Sequence, residues 1–429
     1  MKRNHYFADS IAGAVDCQQY TLYNLLYIMG ECVIIRAGLA QAREQSSGGD
    51  SGASAYMATI MAAKGSELII QSVETKHYHL PLTHPMTDAS HGVMTHFEVV
   101  LVKLETDCGL AGYGYTYTIG CGGAAIRSLI ELNLVSALLG ADANCIEQLW
   151  DRMWWRMHYI GRGGLVAFAM SAVDIALWDL RCKRLDLPLW KLLGGYSREV
   201  RAYAGGIDLQ LEPDELVEQT RCNLRKGFRA IKIKVGRARL SEDVERVRAV
   251  RQCIGSDTPL MVDANMRYSV EQAISAARKF REFDVYWFEE PTIPDDYKGM
   301  ARIATEGGLP IAAGENLHTV YEFRHSIEDA MIAFPEPDVS NIGGITNWMR
   351  VANLAYTHNL PVTSHGVHEL HLHLLAAIPN ASFLEVHSFG LERFIKNPPT
   401  LRDGVMEASD APGHGVQFDW EQLRQYEKS

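Results

Sequence analysis

Apolar and charged residues alternate along Ala230–Gly236, which predicts a β-strand with two chemically different faces. Successive side chains of a strand point to opposite faces, so its apolar residues share one face. Lys232 and Lys234 share the other face. We interpret the apolar face as packed against helices, which leaves two ammonium groups projecting together. Taken alone, the segment is equally well interpreted as an edge strand protected by lysine.

Several short apolar runs downstream each end in a polar residue that is followed by a break in the pattern. Successive ends lie far enough apart to accommodate one strand, one helix and two loops. The residues at these ends are Asp263, Glu289, Glu315, Asp338, His365 and Glu385. We place Asp338 at the start of the run 338–341 and Glu385 directly after the run 381–384. Repeated strand–helix units with chemistry at the strand ends predict a TIM-like barrel.

The pattern before the barrel predicts a small antiparallel sheet followed by helices. Strand-like alternation occurs at 67–75, 96–104 and 109–117, and helical periodicity then continues to residue 183. A predicted loop at 83–92 separates the first two strands. It carries Asp88 and His91, which we predict as substrate contacts.

We divide the chain into four parts. Residues 1–65 contain an apolar stretch that Glu31 and Arg36 interrupt and a Ser/Gly-rich run, so we predict a poorly ordered extension rather than a membrane span. Residues 66–190 form a predicted α+β capping domain, and residues 191–390 form the barrel. The tail, 391–429, is predicted to return to the capping domain.

Composition and charge narrow the possible partners. The chain has 429 residues, too many for a single core, and a formal net charge of −11. This charge disfavours nucleic acid and anionic membrane as partners, but a locally positive site still admits a small anionic substrate. The eight cysteines contain no Cys-x-x-Cys pair. We therefore predict neither a disulfide framework nor a zinc site, and we expect a cytoplasmic location.

Three acidic residues from consecutive strand ends predict a metal site. Asp263, Glu289 and Glu315 would repel one another unless a cation lay between them. Hard carboxylate oxygens select Mg²⁺. Three unrelated surface acids are the alternative, which their positions at consecutive strand ends disfavour. Glu290 would point to the other face of its strand and is a weaker ligand candidate.

The remaining polar residues predict acid–base chemistry around that metal. Mutual repulsion lets one of Lys232 and Lys234 be a neutral base near pH 7. Asp338 bonded to His365 would fix the tautomer of the imidazole. A lysine and an imidazole could then reach the α-proton of a carboxylate substrate from opposite faces. Lys232 and a protonated Glu385 would stabilise the resulting enediolate.

These motifs resemble the enolase superfamily, in its mandelate racemase branch, from about residue 66 to the C-terminus. The resemblance implies an α/β fold, a modified TIM barrel (β/α)7β under an α+β cap formed by both ends of the chain. It also implies a role for each matching residue. These are Lys234 as base with Lys232 near the substrate carboxylate, Mg²⁺ ligands Asp263, Glu289 and Glu315, the dyad Asp338–His365, Glu385 as electrophilic acid, and Asn265 as a substrate contact.

Further segments are similar to particular branches of this superfamily. Residues 158–164, 205–208, 287–297 and 384–389 are similar to 3,6-anhydro-galactonate cycloisomerases, and 369–373 resembles dehydratases of galactarate or talarate. We therefore predict dehydration or cycloisomerisation of a sugar acid by a Mg²⁺-dependent homo-oligomer. Racemisation of a 2-hydroxy acid is the alternative. A Schiff-base aldolase and a non-catalytic barrel are more remote ones.

Overall fold

The computed structural model describes residues 67–428, so the extension predicted for 1–65 lies outside the described residues. Residues Glu67–Ser429 group into one compact unit. The domain boundaries predicted at 190 and 390 therefore both lie inside one compact unit, and they stay predictions. Within residues 67–428, no helix combines the length and the apolar character that crossing a membrane requires.

An antiparallel sheet opens the described chain. Its first three strands are β1 (Ile70–Thr87), β2 (Val93–Thr106) and β3 (Ala111–Thr118). Strand β1 is longer than predicted, because pairing with β2 resumes after an irregularity as Met86 meets Met94. Met86 is buried, so the apolar pattern continues through the predicted loop 83–92. The loop proper is the short connection from Asp88 to Gly92.

Helices cover one face of this sheet. They are α1 (Gly123–Leu129), α2 (Val135–Leu138), α3 (Ile146–Met157), α4 (Leu165–Leu185) and α5 (Leu189–Leu192), with a π-helical turn between α1 and α2. Helix α4 lies so close to β3 that a side chain at Gly114 would collide with the backbone at Ala172. Asp174 of α4 accepts hydrogen bonds from the backbone and hydroxyl of Thr346, which tie the cap to the barrel.

Parallel strands and helices alternate in the second half of the chain. The strands are β4 (Glu199–Gly205), β5 (Ile231–Lys234), β6 (Leu260–Asp263), β7 (Val285–Glu289), β8 (Ile311–Ala313), β9 (Phe334–Pro335) and β10 (Leu384–His387). The helices are α6 (Pro213–Arg225), α7 (Leu240–Ile254), α8 (Val270–Phe280), α9 (Tyr297–Arg302), α10 (Val320–Glu328), α11 (Ile345–Thr357) and α12 (His368–Ala377). The predicted α/β class and strand–helix order are confirmed.

Hydrogen bonds connect neighbouring strand positions around the barrel. Strands β4 to β9 pair in parallel order, and β10 pairs with β4. Between β9 and β10, residues 362 and 363 take the position of a strand but make isolated backbone contacts instead of a continuous ladder. Thr363 N–H donates to Pro335 O at 3.0 Å, and Val362 bridges Ala381. With this segment counted as a strand position, the order is (β/α)7β.

Two predicted strand ends differ from the structure. Asp338 follows β9 in a turn, in which Ser340 N–H donates to Asp338 Oδ1 at 2.8 Å, rather than starting a strand. Glu385 lies within β10 rather than after it. The Asp338 side chain closes that turn, and backbone pairing of Glu385 with Tyr203 of β4 carries β10 past Glu385. Periodicity alone indicates neither effect.

The tail of the chain contacts both layers. It contributes β11 (Leu401–Arg402), β12 (Val405–Glu407), α13 (Trp420–Arg424) and β13 (Glu427–Lys428). Strand β13 pairs with β1, where Lys428 meets His77, and completes the cap sheet. The β11–β12 hairpin instead extends the sheet at β4. The tail therefore also joins the barrel, which the sequence pattern does not predict.

Candidate active site

Three carboxylates meet at the carboxyl ends of the barrel strands. Asp263 ends β6, Glu289 ends β7 and Glu315 follows β8. The parallel register pairs Asp263 directly with Glu289. One ligand oxygen from each of the three residues lies within 4.8 Å of the others. The structure therefore brings the three predicted metal ligands together.

The electrostatics of this trio suit a divalent cation. Burial, reinforced by the negative charge of Asp263, raises the pKa of Glu289 to about 8. A carboxylate in this position is ionised near neutral pH only with added positive charge. The three donors are hard oxygens, the ligand type of Mg²⁺ rather than of softer metals. The residues present therefore fit the predicted Mg²⁺.

The two lysines of β5 reach this trio with separate partners. Lys232 Nζ lies 2.7 Å from Glu289 Oε1 and 2.8 Å from Glu385 Oε1. Lys234 Nζ lies 2.5 Å from Asp263 Oδ2. Burial lowers the pKa of each lysine, but the facing carboxylates outweigh it and raise both pKa values. The predicted neutral lysine is therefore not the state that the protein groups alone favour.

The Asp338–His365 dyad lies at the other end of the carboxylate trio, next to Glu315. His365 Nδ1 lies 3.0 Å from Asp338 Oδ2, and His365 Nε2 lies 2.8 Å from Glu315 Oε2. Tyr117 of β3 donates from its hydroxyl to Asp338 Oδ2 at 3.2 Å. Lys234 and His365 thus bond to different members of the carboxylate trio, at Asp263 and Glu315.

Glu385 differs from its predicted state. Burial would raise the pKa of Glu385, but Lys232, His387 and His365 outweigh burial and hold it below its ordinary value. Gly366 N–H also donates to Glu385 Oε2 at 2.9 Å, which favours the ionised form. The sequence predicts a protonated acid here because it does not show how close Lys232 lies.

The three predicted substrate contacts border the site. Asn265 donates from Nδ2 to Glu315 Oε1 at 3.3 Å, while its buried Oδ1 has no hydrogen bond among the described residues. Ser90 of the cap loop donates to Asn265 O. Asp88 and His91 bond to each other at 2.8 Å, as Oδ2 with Nδ1. The loop therefore reaches the barrel mouth, and Asn265 has an acceptor to offer a ligand.

Two further buried acids lie near the site: Glu290, which the sequence pattern points away from it, and Glu336, which the sequence analysis does not identify. Glu290 accepts hydrogen bonds from Asn316 Nδ2 at 2.9 and 3.0 Å and lies beside Glu315. Its φ of 37° takes it out of the strand, so the alternation that points it away does not apply. Glu336 follows β9, is buried, and its Oε1 has no partner among the described residues. Its position one residue beyond a strand end is the signal that could have found it.

His371 of α12 fastens the two loops that carry the dyad. Val339 N–H donates to His371 Nε2 at 2.9 Å, and His371 Nδ1 lies 3.2 Å from Gly366 O. These partners are the chain neighbours of Asp338 and His365. One nitrogen accepts and the other donates, so the ring is neutral. Burial lowers the pKa of His371 from 6.5 to about 4.

This buried imidazole predicts acid sensitivity. The unfolded ring takes up a proton near pH 6.5, which the folded ring resists until about pH 4. Stability is therefore lost as the pH falls below 6.5. We expect His371 to lower the free energy of unfolding by about 2 kcal/mol between pH 7.5 and pH 5. Denaturant titrations of wild type and His371→Gln measure it, and the variant should depend less on pH. His358→Gln, at an exposed ring, is the matched control, and equal dependence in wild type and His371→Gln would contradict the prediction.

Family models match most of the described chain. Residues 71–194 match the model described as "Mandelate racemase / muconate lactonizing enzyme, N-terminal domain". Residues 215–422 match "Enolase C-terminal domain-like". The first match covers the cap and the second covers most of the barrel and the tail.

Known enzymes are similar in sequence to this chain over most of their length. A 3,6-anhydro-alpha-L-galactonate cycloisomerase from Streptomyces coelicolor is 52% identical, over 83% of this chain and 98% of its own. An L-talarate/galactarate dehydratase from Salmonella typhimurium is 34% identical, over 83% of this chain and 90% of its own.

Solved structures share the fold. A racemase from Streptomyces coelicolor with bound magnesium superposes with a TM-score of 0.82 at 50% identity, covering 84% of this chain and all of that one, 100%. The L-talarate/galactarate dehydratase from Salmonella typhimurium, liganded with Mg and L-lyxarohydroxamate, superposes with a TM-score of 0.81 at 33% identity. The match covers 85% of this chain and 94% of that chain.

Proposed function

The chain belongs to the mandelate racemase / muconate lactonizing enzyme family of the enolase superfamily, and from that membership we propose that it converts a sugar acid by Mg²⁺-dependent removal of its α-proton. Relatives named for cycloisomerisation and for dehydration of sugar acids support this proposal. The observation that carries it is the carboxylate trio, with Lys234 bonded to Asp263 and His365 bonded to Glu315.

Asp263, Glu289 and Glu315 are the residues that would hold Mg²⁺. Bound there, the ion supplies positive charge that acidifies the α-proton of a carboxylate substrate and favours the enediolate. Lys232 adds a second positive charge. Held between Glu289 and Glu385, its ammonium stays protonated and donates to the substrate carboxylate as negative charge develops.

Lys234 is the proposed base. Its nitrogen accepts the α-proton only when it is neutral, so it must first lose the proton that its bond to Asp263 stabilises. Opposite it, His365 is the proposed acid. Asp338 and Glu315 favour the imidazolium, against the effect of burial, and raise the pKa of His365. The protonated ring can therefore give a proton to a leaving oxygen.

The same two proton transfers explain both activities of the relatives. The α-proton goes to Lys234, and the β-carbon–oxygen bond breaks with its electrons on oxygen, which His365 protonates. The resulting enol becomes a 2-keto acid. A free β-hydroxyl leaves as water, which is dehydration. A β-oxygen held in an anhydro ring stays attached at its other end, so the product is a ring-opened isomer.

A substrate panel tests the proposal. With Mg²⁺, we expect 3,6-anhydro-galactonate to be consumed at least about tenfold faster than galactarate, since the cycloisomerase is the more similar of the two relatives compared. Formation of a 2-keto acid measures both. Mandelate and lactate are the controls for racemisation, because neither carries a β-oxygen to expel. Turnover of these two with no sugar acid consumed would replace the proposal with a racemase.

The proposal also includes the cellular location of the enzyme. We propose that the enzyme works in the cytoplasm on a small anionic sugar acid. The six cysteines of the described residues are all free thiols, which suits a reducing compartment. Homo-oligomerisation stays a prediction.

A further inference from the structure

A cluster of two histidines and a glutamate lies in the cap, away from the barrel mouth. His77 and His79 are two residues apart on β1, so they share one face of the sheet. Glu98 of β2 is the direct cross-strand partner of His79. This face also carries Val100, which packs in the cap's helix-covered core, whereas Tyr78 belongs to the core shared with the barrel.

The three side chains converge on one point. Glu98 Oε1 lies 2.7 Å from His79 Nε2 and 3.3 Å from His77 Nε2. One ligand atom from each residue lies within 4.8 Å of the other two. The side chains of His77 and Glu98 are 5% and 6% exposed, but that of His79 is 32% exposed. The cluster is thus buried on two sides and open to solvent on the third.

Neighbouring groups hold Glu98 in a ligating orientation. Its Oε2 accepts from Thr118 Oγ1 and from Gly123 N–H, both at 2.8 Å. These two bonds leave Oε1 directed at the imidazoles, as outer partners of a metal ligand usually do. A side chain at position 123 would collide with His77 Nε2, so glycine there keeps the space beside the ring clear.

His77 itself lacks a satisfactory partner. Its buried Nε2 makes no hydrogen bond within the described residues, although Glu98 is close. Such a buried polar atom is costly unless something else binds it. Burial lowers the pKa of His77 despite Glu98, which leaves the ring in the neutral form that a metal requires.

We propose that His77, His79 and Glu98 bind a Zn²⁺ ion. Zinc takes imidazole and carboxylate ligands at about 2.0–2.2 Å in tetrahedral geometry, which places neighbouring ligand atoms roughly 3.3 Å apart. The observed separations from Glu98 Oε1 require little adjustment to meet that value. Water from the exposed side of His79 would complete the coordination. Two nitrogens and one oxygen favour zinc over the Mg²⁺ that suits the barrel trio.

This proposal does not rest on the proposed catalytic function. The spacing of the cysteines predicts no zinc site. The signal for this one is His-x-His on one strand opposite an acid on the next. Arg127 is the cationic side chain that disfavours a metal beside His77, and it is bonded to Glu131. A zinc ion here would cross-link β1 and β2.

Cobalt titration in excess Mg²⁺ tests the site, because Co²⁺ replaces zinc and absorbs strongly in the visible only in tetrahedral sites. Excess Mg²⁺ would occupy the oxygen-rich barrel trio, where Co²⁺ would absorb weakly. His365, Glu385 and His387 also lie together at the barrel, so only an intense spectrum that the cap substitutions remove is assigned to the cap site. We expect one equivalent of Co²⁺ to give the intense spectrum and Zn²⁺ to displace it. His79→Ala, at the partly exposed ligand, and Glu98→Gln should each lose at least about tenfold in affinity.

His325→Ala is the matched control, since His325 and Asp329 form an exposed pair with no third ligand among residues 67–428. It should bind cobalt like wild type. Circular dichroism in EDTA shows whether each variant is folded, and if His79→Ala is not, Glu98→Gln decides. Weak absorption only, or an intense spectrum that survives both ligand substitutions, would overturn the proposal and leave a hydrogen-bonded His–Glu cluster.

Discussion

Asp263→Asn, Glu289→Gln and Glu315→Gln should each lower kcat by at least about 10³-fold and weaken Mg²⁺ binding. Each substitution removes one negative charge from a trio whose ligand oxygens lie within 4.8 Å of one another. The amide oxygen keeps the shape but is a poorer ligand for a hard cation. Calorimetric titration with Mg²⁺ measures binding, and 2-keto acid formation measures turnover.

A matched control separates this effect from a general loss of charge. Glu218→Gln removes an acid that pairs with Arg225 on the surface of α6, so it should bind Mg²⁺ and turn over like wild type. EDTA should silence the wild-type enzyme, and added Mg²⁺ should restore it. Wild-type Mg²⁺ affinity in all three ligand variants would show that these carboxylates are not the metal site.

Lys234→Ala should lower the rates of α-proton exchange and of turnover together, whereas His365→Asn should retain exchange and lower the rate of product formation. Both losses should amount to about 10²–10⁴-fold, the usual contribution of a positioned acid or base. The reason is the division of work between the two ends of the trio. Lys234 takes the proton, and His365 supplies one to the departing oxygen.

Exchange in D₂O distinguishes these steps. Substrate recovered before completion is examined for deuterium at the α-carbon by NMR, and product is assayed in parallel. Lys279→Ala is the control for loss of a lysine, because Lys279 pairs with Glu282 at the surface. If His365 instead removes the proton, His365→Asn should lose deuterium incorporation and Lys234→Ala should retain it. Exchange of the same proton at wild-type rates in both would contradict either assignment.

The ends of β6, β7 and β8 are the part of the candidate site that the sequence pattern predicts well, whereas the ends predicted at Asp338 and Glu385 differ from the structure. Alternation and repeat length depend only on local geometry, so they locate Asp263, Glu289 and Glu315 without knowledge of packing. The positions of Lys232 and Lys234 follow from the same alternation. The family resemblance that these residues support is confirmed by the matched family models.

Features that depend on departures from regular geometry are not predicted. Glu290 turns toward the site because of its positive φ, which no periodicity reports. Loop 83–92 is too long in the sequence-based prediction because β1 continues past Pro81 with a shift in register. The charge states of Lys234 and Glu385 depend on separations of 2.5 and 2.8 Å from their partners. Such separations arise only once distant strands pack together.

The pairing of β13 with β1 has a consequence for the order of folding. The strand that completes the cap sheet comes from the opposite end of the described chain, so its contact closes a loop that spans nearly all of residues 67–428. During synthesis β1 is made before the barrel. The edge of β1 that pairs with β13 therefore stays unpaired until nearly all of the barrel has been made. An exposed edge of this kind can recruit strands from other chains. A truncation that removes β13 should therefore lower yield and solubility more than it lowers catalytic activity.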